Sequence, residues 1–132
     1  MPLNAALEGK TYPPVRFALE QDRVRSFAHA VGHVGPGVPP TFLTVPEIEA
    51  GLRNVVSDPD LGVDLARVLH GEQSYEWSRE PSLGETLVAE ATIESIRGRG
   101  GLQFLTLRTT LRDERGADVA MARSTLLIRD QE

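Results

Sequence analysis

The strongest constraint on this chain lies in its C-terminal half, where runs of β-branched and apolar residues are cut at close intervals by turn-forming clusters. Gln73 to Trp77, Thr86 to Ile96, Leu102 to Leu111 and Val119 to Ile128 read as strands. Glu80-Pro81-Ser82-Leu83-Gly84, Gly98-Arg99-Gly100-Gly101 and Asp113-Glu114-Arg115-Gly116 separate them. Connections this short join antiparallel neighbours, so the segments are consecutive hairpins. Side chains alternate along a strand, which puts Leu105, Leu107 and Leu111 on one face of the third strand and Phe104, Thr106 and Arg108 on the other. The first face is expected to carry a helix; the second is expected to be partly exposed or paired with a second subunit.

The N-terminal half changes period. Val15 to Leu19, after the turn-forming Tyr12-Pro13-Pro14, reads as a short strand. Asp22 is placed to cap a helix whose apolar residues Val24, Phe27, Ala28 and Val31 fall at three- and four-residue steps, with Gly32 as its stop. From His33 to Pro40 the chain is mostly Gly and Pro, which predicts a shaped loop. Thr44-Val45-Pro46-Glu47 has the spacing of a capping box and predicts a second helix through about Arg53. A polar loop over Asn54 to Gly62 and a turn at Asp64 to Val68 follow.

Strand, helix, loop and then four antiparallel strands make an α+β plan, and specifically that of a hot-dog fold, a curled antiparallel sheet around one helix. With 132 residues and 14.4 kDa, residues 1–132 are expected to form a single domain. The net charge of -5 gives no general attraction to nucleic acid or to an anionic membrane surface, and the absence of cysteine removes disulfide frameworks, thiolate metal sites and cysteine nucleophiles. The N-terminal stretch Met-Pro-Leu-Asn-Ala-Ala-Leu-Glu-Gly-Lys shows no basic segment followed by an apolar core, and no apolar run approaches ~18 residues. A cytoplasmic protein is the expectation.

Four short motifs occur in a telling order. Phe27-Ala28-His29-Ala30-Val31-Gly32 ends a helix, Pro39-Pro40-Thr41-Phe42 opens another, Leu69-His70-Gly71-Glu72-Gln73 leads into a strand, and Pro81-Ser82-Leu83-Gly84-Glu85-Thr86-Leu87 forms a turn. Together they resemble the MaoC-like hydratase/dehydratases, most closely the FAS1-like or MaoC N-terminal dehydratase branch, which includes non-catalytic subunits of hydroxyacyl-thioester dehydratases. The resemblance implies an acyl-coenzyme A or acyl carrier protein thioester as ligand, no cofactor, no metal, and a dimer.

Dehydrating a 3-hydroxyacyl thioester needs a base for the Cα proton, an acid for the departing hydroxyl and donors for the thioester oxygen. Related enzymes supply the first two from Asp-x-Asn-Pro-x-His after the first helix. Aligned on Gly32, this chain has His33 at the Asp position and Val38 at the His position, and no Asp follows the helix until Asp58. A valine neither gives nor takes a proton. The resemblance therefore implies an acyl-thioester-binding subunit of an (R)-3-hydroxyacyl-CoA/ACP dehydratase that lacks its own Asp/His pair. Its partner would be a small hot-dog hydratase with the motif intact, and Pro39, Pro40, Thr41, Phe42, Leu43, Ile48 and Gly71 would touch substrate.

Two other readings stand beside it. One is a homodimeric acyl-thioester-binding or structural hot-dog protein without catalysis. The other is a thioesterase or hydratase with a relocated pair, His70 with Glu72 or His33. For His33 the plain alternative is an imidazole beside helix carbonyls, and for His70-Gly71-Glu72 a turn whose histidine satisfies a backbone group. His29 and His33 are four apart, but Gly32 interrupts the helix between them and no third ligand is evident. Tyr75 and Trp77 share a strand face and read as core or dimer packing. Arg97 and Arg99 form a basic hairpin tip that could meet coenzyme A phosphates or simply be solvated. No Gly-x-Ser-x-Gly elbow or phosphate-binding Gly-rich loop occurs.

Overall fold

The strand segments form one antiparallel sheet. The computed structural model describes residues 3–130. Strands β1 (Val15–Ala18), β2 (Val68–Trp77), β3 (Thr86–Arg99), β4 (Leu102–Asp113) and β5 (Asp118–Arg129) form a five-stranded sheet in the order β1-β3-β4-β5-β2. At the tip between β3 and β4, Gly100 and Gly101 have φ of 57° and 83°. Positive φ at both central residues lets a two-residue turn follow the twist of the strands, and side chains with a Cβ resist it.

Helix α1 (Gln21–Val31) follows β1. A second helical run, α2, occupies residues 40–57: a 3-10 turn at Pro40–Leu43, an α-helical turn at Thr44–Glu47, a π turn at Ile48–Leu52 and an α-helical end at Arg53–Ser57. Because β1 and β2 are opposite edges of the sheet, the chain between them must cross its width, and α2 makes the crossing on the inner face. Ala50 and Gly51 permit a close approach: a Cβ on Gly51 would stand 3.4 Å from Ala91 Cβ and 3.5 Å from Leu107 Cδ1.

The inner face is apolar in register. Leu87, Ala89, Ala91 and Ile93 of β3, Leu105, Leu107 and Leu111 of β4, and Val119, Ala122 and Leu126 of β5 are all buried. Each such Leu or Ile contributes about 1.5–3 kcal/mol relative to exposure. Phe42 joins them from the start of α2, edge-on to Phe27 of α1 at 5.3 Å between ring centroids and tilted against Phe17 of β1 at 6.2 Å. The outer face is half-buried and polar: Glu94 accepts from Arg123 Nε at 2.9 Å and from Arg108 Nη1 at 3.3 Å, and both guanidinium groups hold its carboxyl below the usual range.

One expectation of topology and four local ones need correction. β2 and β3 do not form a hairpin: β2 pairs with β5 and β3 with β1 and β4, and the segment 78–85 carries the chain from beside Val119, where Ser78 N–H donates, to beside Leu19, which accepts from Gly84 N–H. Asp22 does not cap α1; Glu20 is the N-cap residue, and Asp22 lies in the first turn, where its charge still favours the helix N-terminus. Gly32, at φ 72°, ends α1 as expected, with His33 N–H donating to Ala28 O at 2.9 Å. Thr44 and Glu47 form no capping box, because the 3-10 turn from Pro40 has already begun the helix, which also runs past Arg53 to Ser57. The turn expected at Asp64 to Val68 is present as a 3-10 turn at Leu65–Arg67, but β2 starts at Val68 rather than Gln73, so His70 and Glu72 lie on a strand. No helix of the described residues is long and apolar enough to cross a membrane.

Candidate active site

Helix α2 and strand β2 meet over β4 and β5 at a small cavity of about 60 Å³, lined by Thr44, Glu47, Ile48 and Leu52 from α2, His70 from β2, Leu107 from β4, and Ser124 and Leu126 from β5. Ile48, 39% exposed, and the exposed His70 form its mouth; Glu47, Ser124, Leu107 and Leu126, none more than 6% exposed, form its floor. The walls are mostly aliphatic. The floor carries a carboxyl, a hydroxyl and, behind them, an amide.

Glu47 reaches the floor because α2 places it between Leu43 and Ala50 on the buried side. Its Oε2 lies 2.5 Å from Ser124 Oγ and accepts from Gln73 Nε2 at 3.1 Å, while Ser124 Oγ lies 2.6 Å from Gln73 Oε1. Burial pushes the Glu47 carboxyl above the usual range, against the opposing influence of its hydrogen bonds to Ser124 and Gln73 and of the nearby His70 charge. Thr44 Oγ1 hydrogen-bonds the Tyr75 hydroxyl, and the Tyr75 ring lies 5.9 Å from that of Trp77. Tyr75 thus ties β2 to α2 beside the cavity, and burial raises its phenol above the usual range.

The β2 register decides which of its residues reach this place. His70 pairs with Leu126, Glu72 with Thr125 and Gln73 with Ser124, so the strand slips by one residue between His70 and Glu72. Gly71 is the extra residue of a β-bulge. Without it, His70 and Glu72 would share a face; with it, His70 and Gln73 face inward, while Glu72 turns outward with Thr125. The pair His70 with Glu72 is therefore not assembled, and His33 is not among the cavity-lining residues.

The remaining sequence-predicted residues scatter around the start of α2. Pro39 is buried, Pro40 and Thr41 are exposed, Phe42 and Leu43 are 1% and 0% exposed within the core, and Ile48 lines the cavity. His33 is half-buried, and its Nε2 has no hydrogen-bond partner among the described residues. Val38 packs against the core cluster that contains Phe17 and Phe42. Arg97 and Arg99 flank an open groove with Phe104, Thr106 and Thr125 on the outer face, on the other side of the sheet from Glu47.

Glu47 escaped the sequence reading because its position in Thr-x-x-Glu suggested a cap. The signal available was helical spacing, which sets it on the same side as Leu43 and Ala50. Ser124 gave a second: a hydroxyl residue at an inward position between Ala122 and Leu126.

An antiparallel sheet whose strands curl about a crossing helix, with the order β1-β3-β4-β5-β2, defines a hot-dog domain. The family model for the FAS1-like dehydratase domain region matches residues 30–122, and the chain belongs to that family. A UPF0336 protein of Leifsonia xyli subsp. xyli is 32% identical over 149 aligned positions, covering 100% of this chain and 99% of the relative. Among solved structures, the C-terminally truncated HadBC (3R-hydroxyacyl-ACP dehydratase) complex from Mycobacterium tuberculosis has a chain that matches with TM-score 0.81 and 22% identity, covering 92% of this chain and 96% of that one. A MaoC-like dehydratase matches with TM-score 0.78 and 24% identity over 95% of this chain and 43% of its own length.

Proposed function

We propose that this chain is the acyl-thioester-binding subunit of a 3-hydroxyacyl-thioester dehydratase and that a second hot-dog chain supplies its acid and base. The observation that carries this reading is the loop between α1 and α2. It offers one imidazole, His33, no carboxylate, and a Val38 committed to the core. Removal of water needs two proton-handling groups at one substrate, and this loop offers one. The partner would dock along β2, whose one neighbour within the described chain is β5; an unpaired strand edge of this length is a ready template for association. The 3R-hydroxyacyl-ACP dehydratase similar to this chain is a complex, which supports a two-chain arrangement. The substrate acyl group would enter past Ile48, with the exposed Pro40-Thr41 turn nearer the thioester.

The test is turnover of an enoyl thioester by the purified chain alone and mixed with a small hot-dog hydratase that carries Asp-x-Asn-Pro-x-His. Activity is expected only in the mixture; brisk hydration by the chain alone would remove the reading.

One observation favours a second reading, an autonomous hydratase: Glu47 and His70 line a single cavity. If that pair performs the chemistry, the chain is active by itself and both E47Q and H70A abolish turnover.

A further inference from the structure

The floor of the cavity contains a proton-counting problem. Glu47 Oε2, Ser124 Oγ and Gln73 Oε1 meet with separations of 2.5 Å and 2.6 Å on either side of the serine oxygen. A serine hydroxyl has one proton to donate. Were Glu47 ionised, that proton could serve the carboxylate or the amide oxygen, and the other contact would press two lone-pair-bearing oxygens together with nothing between them. Turning the Gln73 amide over relieves the two short contacts but leaves two acceptors facing each other. The nitrogen then serves Ser124, and the amide oxygen faces Glu47 Oε2 at the 3.1 Å now spanned by the N–H bond.

One added proton closes both arrangements. A neutral Glu47 donates to Ser124, Ser124 donates to Gln73 Oε1, and Gln73 Nε2 donates back to Glu47; with the amide reversed, the ring runs the other way. The surroundings agree. Glu47 is 5% exposed, and among the described residues no lysine or arginine lines the cavity. The titratable groups that face it are His70 at the mouth and Tyr75, whose hydroxyl is engaged by Thr44; the sheet beneath contributes Leu107 and Leu126.

We propose that Glu47 is a neutral carboxylic acid in the folded protein at neutral pH and forms the uncharged floor of a pocket for the tip of a short acyl chain, so that binding of that chain depends on a proton. The ligand identity rests on the acyl-thioester reading above. An apolar tip seated over Leu107 and Leu126 displaces the water that would solvate a carboxylate, and an ionised Glu47 would then be buried with only the His70 imidazole at the mouth to offset its charge. Ligand and proton therefore favour the same state.

Hexanoyl-coenzyme A is the probe, titrated from pH 6.5 to 9 while the emission of Trp77, the single tryptophan, is followed. An H70N background removes the imidazole at the mouth. Affinity in H70N is expected to fall toward tenfold per pH unit on the alkaline side, and to stay flat in H70N/E47Q. Infrared difference spectra of the wild type against E47Q should show a carboxylic acid C=O band at pH 7, and pH-difference spectra of the wild type alone read the same proton without a variant. An ionised Glu47 at pH 7, or equal pH dependence with and without Glu47, overturns the proposal. Failure of hexanoyl-coenzyme A to bind any version at any pH removes the acyl ligand and counts against the acyl-thioester reading, while the infrared band decides the proton by itself.

Discussion

Gly71 lies so close to Leu127 that a Cβ at position 71 would stand 2.1 Å from Leu127 Cδ1. The bulge that sorts His70 inward and Glu72 outward thus sits under a neighbouring side chain of β5. Gly71 does not have positive φ, so alanine is allowed by its backbone and excluded only by contact. In G71A the half-buried Leu127 must leave its rotamer, at about 0.5–1.5 kcal/mol. In an L127A background the same substitution should be neutral or slightly stabilising, through the loss of unfolded-chain freedom. A double-mutant cycle by urea denaturation measures the difference; additive effects would show that the contact does not constrain the bulge.

Glu47 should write its proton into the stability curve. Its folded pKa lies above the unfolded value, so the native state holds a proton that the unfolded chain releases. The associated stability is complete below the unfolded carboxyl range near pH 4.3 and is lost as pH rises through the folded value. Relative to E47Q, which has nothing to ionise there, wild type should weaken with rising pH by up to about 1.4 kcal/mol per unit. Denaturation of both proteins at pH 5, 7 and 9 should give diverging midpoints, and parallel ones would contradict the assignment.

Much of this architecture was legible because one physical rule governed each segment. The hairpins of β3, β4 and β5 follow from alternation plus glycine turns, and Leu105, Leu107 and Leu111 face inward as the period of two requires. Gly32 ends α1 because its left-handed backbone costs glycine little. The site was less legible because two rules competed at the same residues. Thr44 and Glu47 satisfy a capping pattern and a helix-interior pattern equally, and the 3-10 turn begun at Pro40 decides for the second. Between His70 and Glu72, simple alternation predicts a shared face. The bulge that separates them lies against Leu127, more than fifty residues later, a contact no local pattern contains.

Thr109 offers a stabilising change. It is 0% exposed on the inner face of β4, and its Oγ1 has no hydrogen-bond partner among the described residues. Gly51 lies above it, with the position of a Cβ there 3.7 Å from the Thr109 hydroxyl oxygen, so the missing Gly51 side chain leaves room on that side. T109V removes an unsatisfied hydroxyl and keeps the β-branch, and should raise stability by about 1 kcal/mol. A lowered thermal midpoint would show that the hydroxyl is engaged after all.

Asp58 ties the N-terminal segment to the end of α2. Its Oδ2 accepts from Lys10 Nζ at 2.6 Å and from the Tyr12 hydroxyl at 2.8 Å, and its Oδ1 accepts from Asp60 N at 2.9 Å. Tyr12 is buried, and burial together with the Asp58 charge pushes its phenol well above the usual range. The hydrogen bond from Lys10 is the largest influence holding the Asp58 carboxyl below its ordinary value. The linkage is opposite in sign to that of Glu47: this stability is present above the unfolded carboxyl range and is lost as pH falls through the depressed folded value. D58N keeps the shape and removes the charge, leaving Lys10 without its counterion and weakening the acceptor for Tyr12, at about 1–3 kcal/mol near neutral pH. The gap between wild type and D58N should begin to narrow below about pH 4, where the unfolded carboxyl takes up its proton, and go on narrowing until the folded carboxyl is neutralised at lower pH; a gap of constant size from pH 7 to pH 3 would mean that Asp58 contributes packing and not charge.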